Sequence, residues 1–168
     1  MLKECKKDGI LRKEVLESIP GYKMDDVRKA KGPVVVIECA ENIPCNPCET
    51  SCPQGAITVG NPITNLPVVD VDKCIGCGKC VAICPGLAIF LINANYAEGR
   101  GTITFAYEYL PVPEKGDVVK AINRKGEVVC DAIVEKNVSV KAYDMTNVMT
   151  ISVPVEYLEE VRGIERKK

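Results

Sequence analysis

The chain has 168 residues, with Lys+Arg 22 against Asp+Glu 23 and a formal charge of −1. That balance offers no general basic field for nucleic acid, and no run approaches the roughly 18 apolar residues of a membrane-spanning helix. Histidine is absent, which excludes imidazole from acid–base work and from Rieske or haem ligation.

At the N-terminus, Met1-Leu2-Lys3-Glu4-Cys5-Lys6-Lys7-Asp8 has no apolar stretch behind its charges. No secretory signal is expected, hence a cytoplasmic location with cysteines as thiols rather than disulfides. Ile10, Leu11, Val15, Leu16 and Ile19 then recur at helical spacing. Pro20-Gly21 breaks that helix, and Met24 to Lys31 predicts a second one with Asp25 and Asp26 near its start. Gly32-Pro33 ends it. Residues 1–32 are therefore expected to be a helical extension that covers the cysteine-bearing core or docks to another subunit.

Residues 33–95 carry the chemistry. An apolar strand, Val34 to Ile37, runs through Glu38 into Cys39-x5-Cys45-x2-Cys48-x3-Cys52-Pro53. Ala56 to Val59 predicts a short strand, Gly60-Asn61-Pro62 a turn, and Leu66 to Lys73 a lead into Cys74-x2-Cys77-x2-Cys80-x3-Cys84-Pro85. Ala88 to Ile92 repeats the part of Ala56 to Val59. Eight of the ten cysteines fall in this stretch, in two copies of strand, cysteine run, Cys-Pro and strand.

The second run is C-x2-C-x2-C-x3-C-P, the spacing that holds cubane iron–sulfur clusters. Three thiolates within a short loop wrap three corners of a cube, and the fourth comes from the last cysteine of the other run. One [4Fe–4S] cluster would take Cys74, Cys77, Cys80 and Cys52. The other would take Cys45, Cys48, Cys84 and Cys39, the last standing three residues before the expected ligand place, which Asn42 holds. Without Cys39 that cluster would be a [3Fe–4S] centre. Gly76 and Gly78, lacking Cβ atoms, let backbone approach the cluster closely. Zinc also uses C-x2-C pairs, but the third cysteine and the Cys-Pro ending of both runs point away from it. Cys5 and Cys130 have no partner at ligand spacing and are expected to be ordinary thiols.

Residues 96–168 change character. Thr102 to Tyr109 alternates as a half-buried strand does. Val118 to Ile122 and Glu127 to Val134 flank the turn Arg124-Lys125-Gly126, and Val138 to Tyr143 and Val148 to Val153 predict further strands. Short strands at this spacing predict a small β-barrel, closed by a last helix over Val155 to Val161. Its carboxylates, Glu108, Asp117, Glu127, Asp131 and Asp144, are scattered and suggest no catalytic set. Arg124, Lys125, Lys136 and Lys141 come without the aromatic platform a single-stranded nucleic-acid site needs.

The stretch 33–95 resembles the two-cluster bacterial-type ferredoxins, its second run in full and its first with the longer Cys39-to-Cys45 spacing. With Gly32-Pro33-Val34 to Cys39, Ile43 to Pro53, and a β-rich tail from Ile103 to Tyr109, the whole chain is similar to the small ferredoxin-type subunits of FAD-dependent, dye-linked dehydrogenases. These oxidise amino acids (proline or sarcosine type) or glycerol 3-phosphate-like substrates. The resemblance implies an α+β fold: a two-[4Fe–4S] ferredoxin-like domain at 33–95, the N-terminal helical segment, and a C-terminal small β-barrel at 96–168. It implies two [4Fe–4S] clusters and FAD-containing dehydrogenase partners in a hetero-oligomer, favouring the amino-acid-oxidising type. The chain would relay single electrons and carry no catalytic residue, since G-x-G-x-x-G and P-loop patterns are absent. A free ferredoxin carrier and a zinc- or cluster-based regulatory protein are the two alternatives.

Overall fold

The computed structural model describes residues 8–22 and 26–166. Cys5, Met24 and Asp25 lie outside them. Helix α1 (Lys13–Ser18) buries Val15 and Leu16, and α2 (Asp26–Lys31) leads to strand β1 (Val34–Ile37). Two short helices lie in the cysteine region, α3 (Pro47–Thr50) and α4 (Lys79–Ile83), with a small ladder of β2 (Ile57–Thr58) and β3 (Val68–Val69) between them. Strands β4 (Ile89–Ala97), β5 (Arg100–Ala106), β6 (Val118–Ile122), β7 (Val128–Val138), β8 (Val148–Pro154) and β9 (Gly163–Ile164) complete the chain.

Seven of these strands form one antiparallel sheet in the order β1-β4-β5-β8-β7-β6-β9. The period-2 alternation of strands assigns its two faces. Val36, Phe90, Ile103, Met149, Ile151 and Val134 point into the larger core, joined there by Ile164 of β9. Val35, Ile37, Ile89 and Val148 point the other way, against Ile57, Val69, Cys80 and Val81 of the cysteine region. Strand β1 is thus buried on both sides, which accounts for its unbroken apolar run. Strand β4 crosses position 95, so the cysteine region and the C-terminal region share a sheet.

Three expectations are corrected. The C-terminal strands do not close into a barrel: the sheet is open, with β1 and β9 as its edges. β9 has only two residues, too short to ladder onto another edge. The last helix is instead a 3-10 turn, Val155–Tyr157, with a further turn after it. Val155, Leu158 and Val161 have helical spacing, yet Leu158 and Val161 plug the larger core from a turn. The strand expected at Val138 to Tyr143 also ends early, at Val138, and a 3-10 turn spans Lys141–Tyr143.

Ile151 lies at the centre of the sheet with no exposed surface. Ile151→Ala removes buried methyl groups and leaves a cavity, so denaturant unfolding should show a loss of about 2–5 kcal/mol.

Candidate metal centres

The local structure of each cysteine run follows from its sequence. Helix α3 begins with Pro47 in its first turn, where a missing N–H costs nothing, and it carries Cys48. Helix α4 begins after Gly78, which sits at φ +79°, and it carries Cys80 and Val81 on its buried side. It stops at Cys84, which is extended, as a residue before proline prefers. The backbone N–H of Cys45 donates to Ile63 at 3.2 Å and that of Cys74 to Asp70 at 3.2 Å. The Ala56 N–H donates to Cys52 Sγ at 3.3 Å. Asn42, in the usual ligand place, instead donates through Nδ2 to the Thr64 carbonyl at 3.0 Å.

The eight cysteines fall around two hollows. Cys39, Cys45, Cys48 and Cys84 line one of them, walled by Ile37, Pro67 and Ile89. Cys52, Cys74, Cys77 and Cys80 line the other, walled by Val35, Ile57 and Leu91. Each set draws on both runs. The Cys39 thiol donates to the Glu41 carbonyl, at 4.0 Å. Cys77 is exposed and Cys80 buried. Cys130, on β7, belongs to neither set.

Electrostatics report the same grouping. Burial pushes the Cys80 thiol up to about 12, and the neighbouring sulfurs of Cys74, Cys77 and Cys52 add to it. Burial pushes Cys48 up to about 11, with Cys84 and Cys45 adding. The Cys39 thiol is raised chiefly by burial, and Cys84 and Cys45 are again its sulfur neighbours. Burial makes such thiols resist losing their protons, whereas a bound metal stabilises the thiolate outright. Among the described residues, no group of three or more Cys, Asp or Glu side chains is arranged to hold one metal ion. Each hollow is lined by four thiols, the number that the four iron corners of one cube take.

Residues outside the cysteine region complete the surroundings. Tyr143 Oη donates to the Cys77 carbonyl at 3.2 Å, and its phenol is raised by burial and by the nearby Cys77 and Cys80 sulfurs. Glu38, one residue before Cys39, is buried and paired with Arg124 and Arg162. Burial alone would raise the Glu38 carboxyl, but the two guanidiniums outweigh it and hold it below the usual carboxylate range. The sequence hint was a charge ending an apolar strand, which demands a partner. Arg124 therefore serves the interior and not a basic surface. Of the scattered carboxylates, Asp131 pairs with Lys120 at 2.5 Å and Glu127 accepts from Asn123 at 2.9 Å.

Residues 67–90 match the family model described as a 4Fe-4S binding domain. The chain is 43% identical over 68 residues to an uncharacterised ferredoxin of Methanocaldococcus jannaschii, covering 40% of each chain. It is 51% identical over 49 residues to a subunit of an ion-translocating oxidoreductase complex of Methanosarcina acetivorans, covering 29% of this chain and 17% of that one. It is 36% identical over 75 residues to the polyferredoxin-like subunit of an aliphatic sulfonate oxidoreductase of Pyrococcus furiosus, covering 45% of this chain and 36% of that one. The chain thus spans well under half the length of each of these relatives. No solved structure matches it. Among the described residues, no helix is long and apolar enough to cross a membrane. Residues 67–90 thus carry a 4Fe-4S binding domain, and the cysteine-bearing stretch is similar to a ferredoxin and to subunits of oxidoreductases.

Proposed function

We propose that the chain holds two [4Fe–4S] clusters and relays single electrons from a FAD-containing dehydrogenase, of the amino-acid-oxidising type, to an acceptor. One cluster is held by Cys39, Cys45, Cys48 and Cys84, and the other by Cys52, Cys74, Cys77 and Cys80. The observation that carries this reading is the pair of hollows, each lined by four cysteines drawn from both runs. A bound cluster supplies one-electron exchange at a potential set by its surroundings. The protein's share is to hold and shield. Ile37, Pro67 and Ile89 keep water from one set, and Val35, Ile57 and Leu91 from the other. Residues 33–95 form the cluster-holding unit, and 1–32 and 96–168 offer surface to partners. Membership of a complex is supported by relatives whose names are those of complex subunits.

The test is anaerobic mixing of the purified chain with its native flavoprotein, followed by proline, sarcosine and then glycerol 3-phosphate. Visible cluster absorbance should bleach only when the flavoprotein is present. Bleaching of the chain alone by a substrate would defeat the relay reading. A second reading, a free carrier, is favoured by the M. jannaschii relative, which is called a ferredoxin. Isolation from native lysate as a monomer with no flavoprotein attached would establish it.

A further inference from the structure

We propose that Glu38, clasped by Arg162 and Arg124, is the positioning residue for Cys39, so that the C-terminal segment governs the integrity of the cluster held there. This rests on the reading of Cys39 as a ligand.

Cys39 is the one cysteine of its set with no neighbouring ligand within five residues, and the backbone from 38 to 43 has no regular structure. Cys48 is fixed by α3, and Cys84 ends α4. What fixes Cys39 lies before it. Along β1 and its continuation, Val35, Ile37 and Cys39 point to the cysteine side, whereas Val36 points to the larger core. Glu38, in the alternate place, faces away from the hollow, and holding it aims its neighbour inward. The hold is strong. Arg162 Nε donates to Glu38 Oε1 at 2.5 Å, Arg124 Nη2 to Oε1 at 2.6 Å and Arg124 Nε to Oε2 at 2.9 Å. The side chains are 5%, 16% and 5% exposed for Glu38, Arg124 and Arg162. The Glu38 N–H also donates to the Ala88 carbonyl at 2.8 Å.

The two arginines are fixed in turn. Arg162 donates to the Leu158 carbonyl at 3.0 Å and stacks over the Phe90 ring at 5.2 Å. Arg124 donates to the Glu159 carbonyl at 3.1 Å and lies 5.9 Å from the centre of the Tyr22 ring. Arg162 Nη2 is buried with no hydrogen-bond partner among the described residues. Two guanidiniums on one buried carboxylate are a poor way to gain stability, since apolar packing of equal volume does as well or better. What they do provide is a fixed direction for the chain one residue before the hollow.

The experiment uses the full chain with its clusters loaded and a one-electron oxidant, ferricyanide. A [4Fe–4S] cluster that loses one electron to ferricyanide and one ferrous ion to solution becomes a [3Fe–4S] centre, and the freed thiolate takes a proton from water. Arg162→Met should convert one cluster per chain about tenfold faster than wild type, the range seen when residues that orient a metal ligand are removed. The other cluster should keep its wild-type rate. Electron paramagnetic resonance counts the three-iron centres, and Arg162→Lys should recover part of the resistance. If Arg162→Met does not fold, Arg124→Met, on the less buried arm, gives the same readout. Ile151→Ala loosens the same core without touching the clasp and should convert at the wild-type rate. Equal conversion in Ile151→Ala and the arginine variants would overturn the proposal, as would equal damage to both clusters. Cys39→Ser separates the two readings: if it leaves both clusters unaltered, the ligand assignment falls and the clasp proposal falls with it.

Discussion

Gly76→Ala should cost the protein one cluster, whereas Gly78→Ala should leave both. The two glycines stand in the same cysteine run, both in the left-handed region, at φ +66° and +79°. Placing a Cβ there costs roughly 1–2 kcal/mol at either position. Space separates them. A Cβ on Gly76 would lie 2.5 Å from the Pro33 carbonyl oxygen, which is backbone at the entry to β1 and cannot swing away. A Cβ on Gly78 meets no protein atom nearer than the Tyr143 hydroxyl, at 3.8 Å. Gly76→Ala must therefore shift either the loop that carries Cys74 and Cys77 or the start of β1, at a total cost of roughly 3 kcal/mol or more. Iron should fall from about eight to about four per chain in Gly76→Ala and stay at about eight in Gly78→Ala. Equal iron and equal thermal midpoints for the two variants would show that the Pro33 contact does not restrain the loop.

How much of this was legible in the sequence depends on the distance over which each feature is decided. The cysteine runs are local: ligand spacing, the proline after each last cysteine and the glycines between ligands all act within a dozen residues. Strand positions are local too, which is why β6 falls on Val118–Ile122 and β8 begins at Val148 as the alternation predicts. Closure of the sheet is not local. Whether a row of strands becomes a barrel depends on whether its first and last strands pair, and β1 lies far in sequence from the two residues of β9. The apolar triad Val155, Leu158 and Val161 fits a helix and a core-plugging turn equally well. Periodicity cannot separate them over seven residues. The clasp is the extreme case. Glu38 finds its partners 86 and 124 positions away, and nothing beside Arg124 or Arg162 marks either as interior. Tyr143 is similar, reaching back 66 positions to Cys77.

Crossed sharing of cysteines between two clusters, as proposed, is a property that single substitutions miss and paired ones expose. Cys52 belongs to the first run by sequence, yet it lines the hollow of Cys74, Cys77 and Cys80. Cys84 belongs to the second run and lines the hollow of Cys39, Cys45 and Cys48. The double variant Cys52→Ser with Cys80→Ser therefore strikes one hollow twice. It should retain the other cluster, with about four irons per chain. The double variant Cys48→Ser with Cys52→Ser strikes each hollow once and should drop well below that, with both clusters damaged. An uncrossed arrangement, each run holding its own cluster, reverses the pairing: Cys48 and Cys52 would then be the pair that spares a cluster, and Cys52 with Cys80 the pair that damages both. Iron and acid-labile sulfide assays on anaerobically prepared protein read out the difference directly. Thermal unfolding should follow the same order, because a bound cluster would tie the two runs together and its binding free energy adds to that of folding.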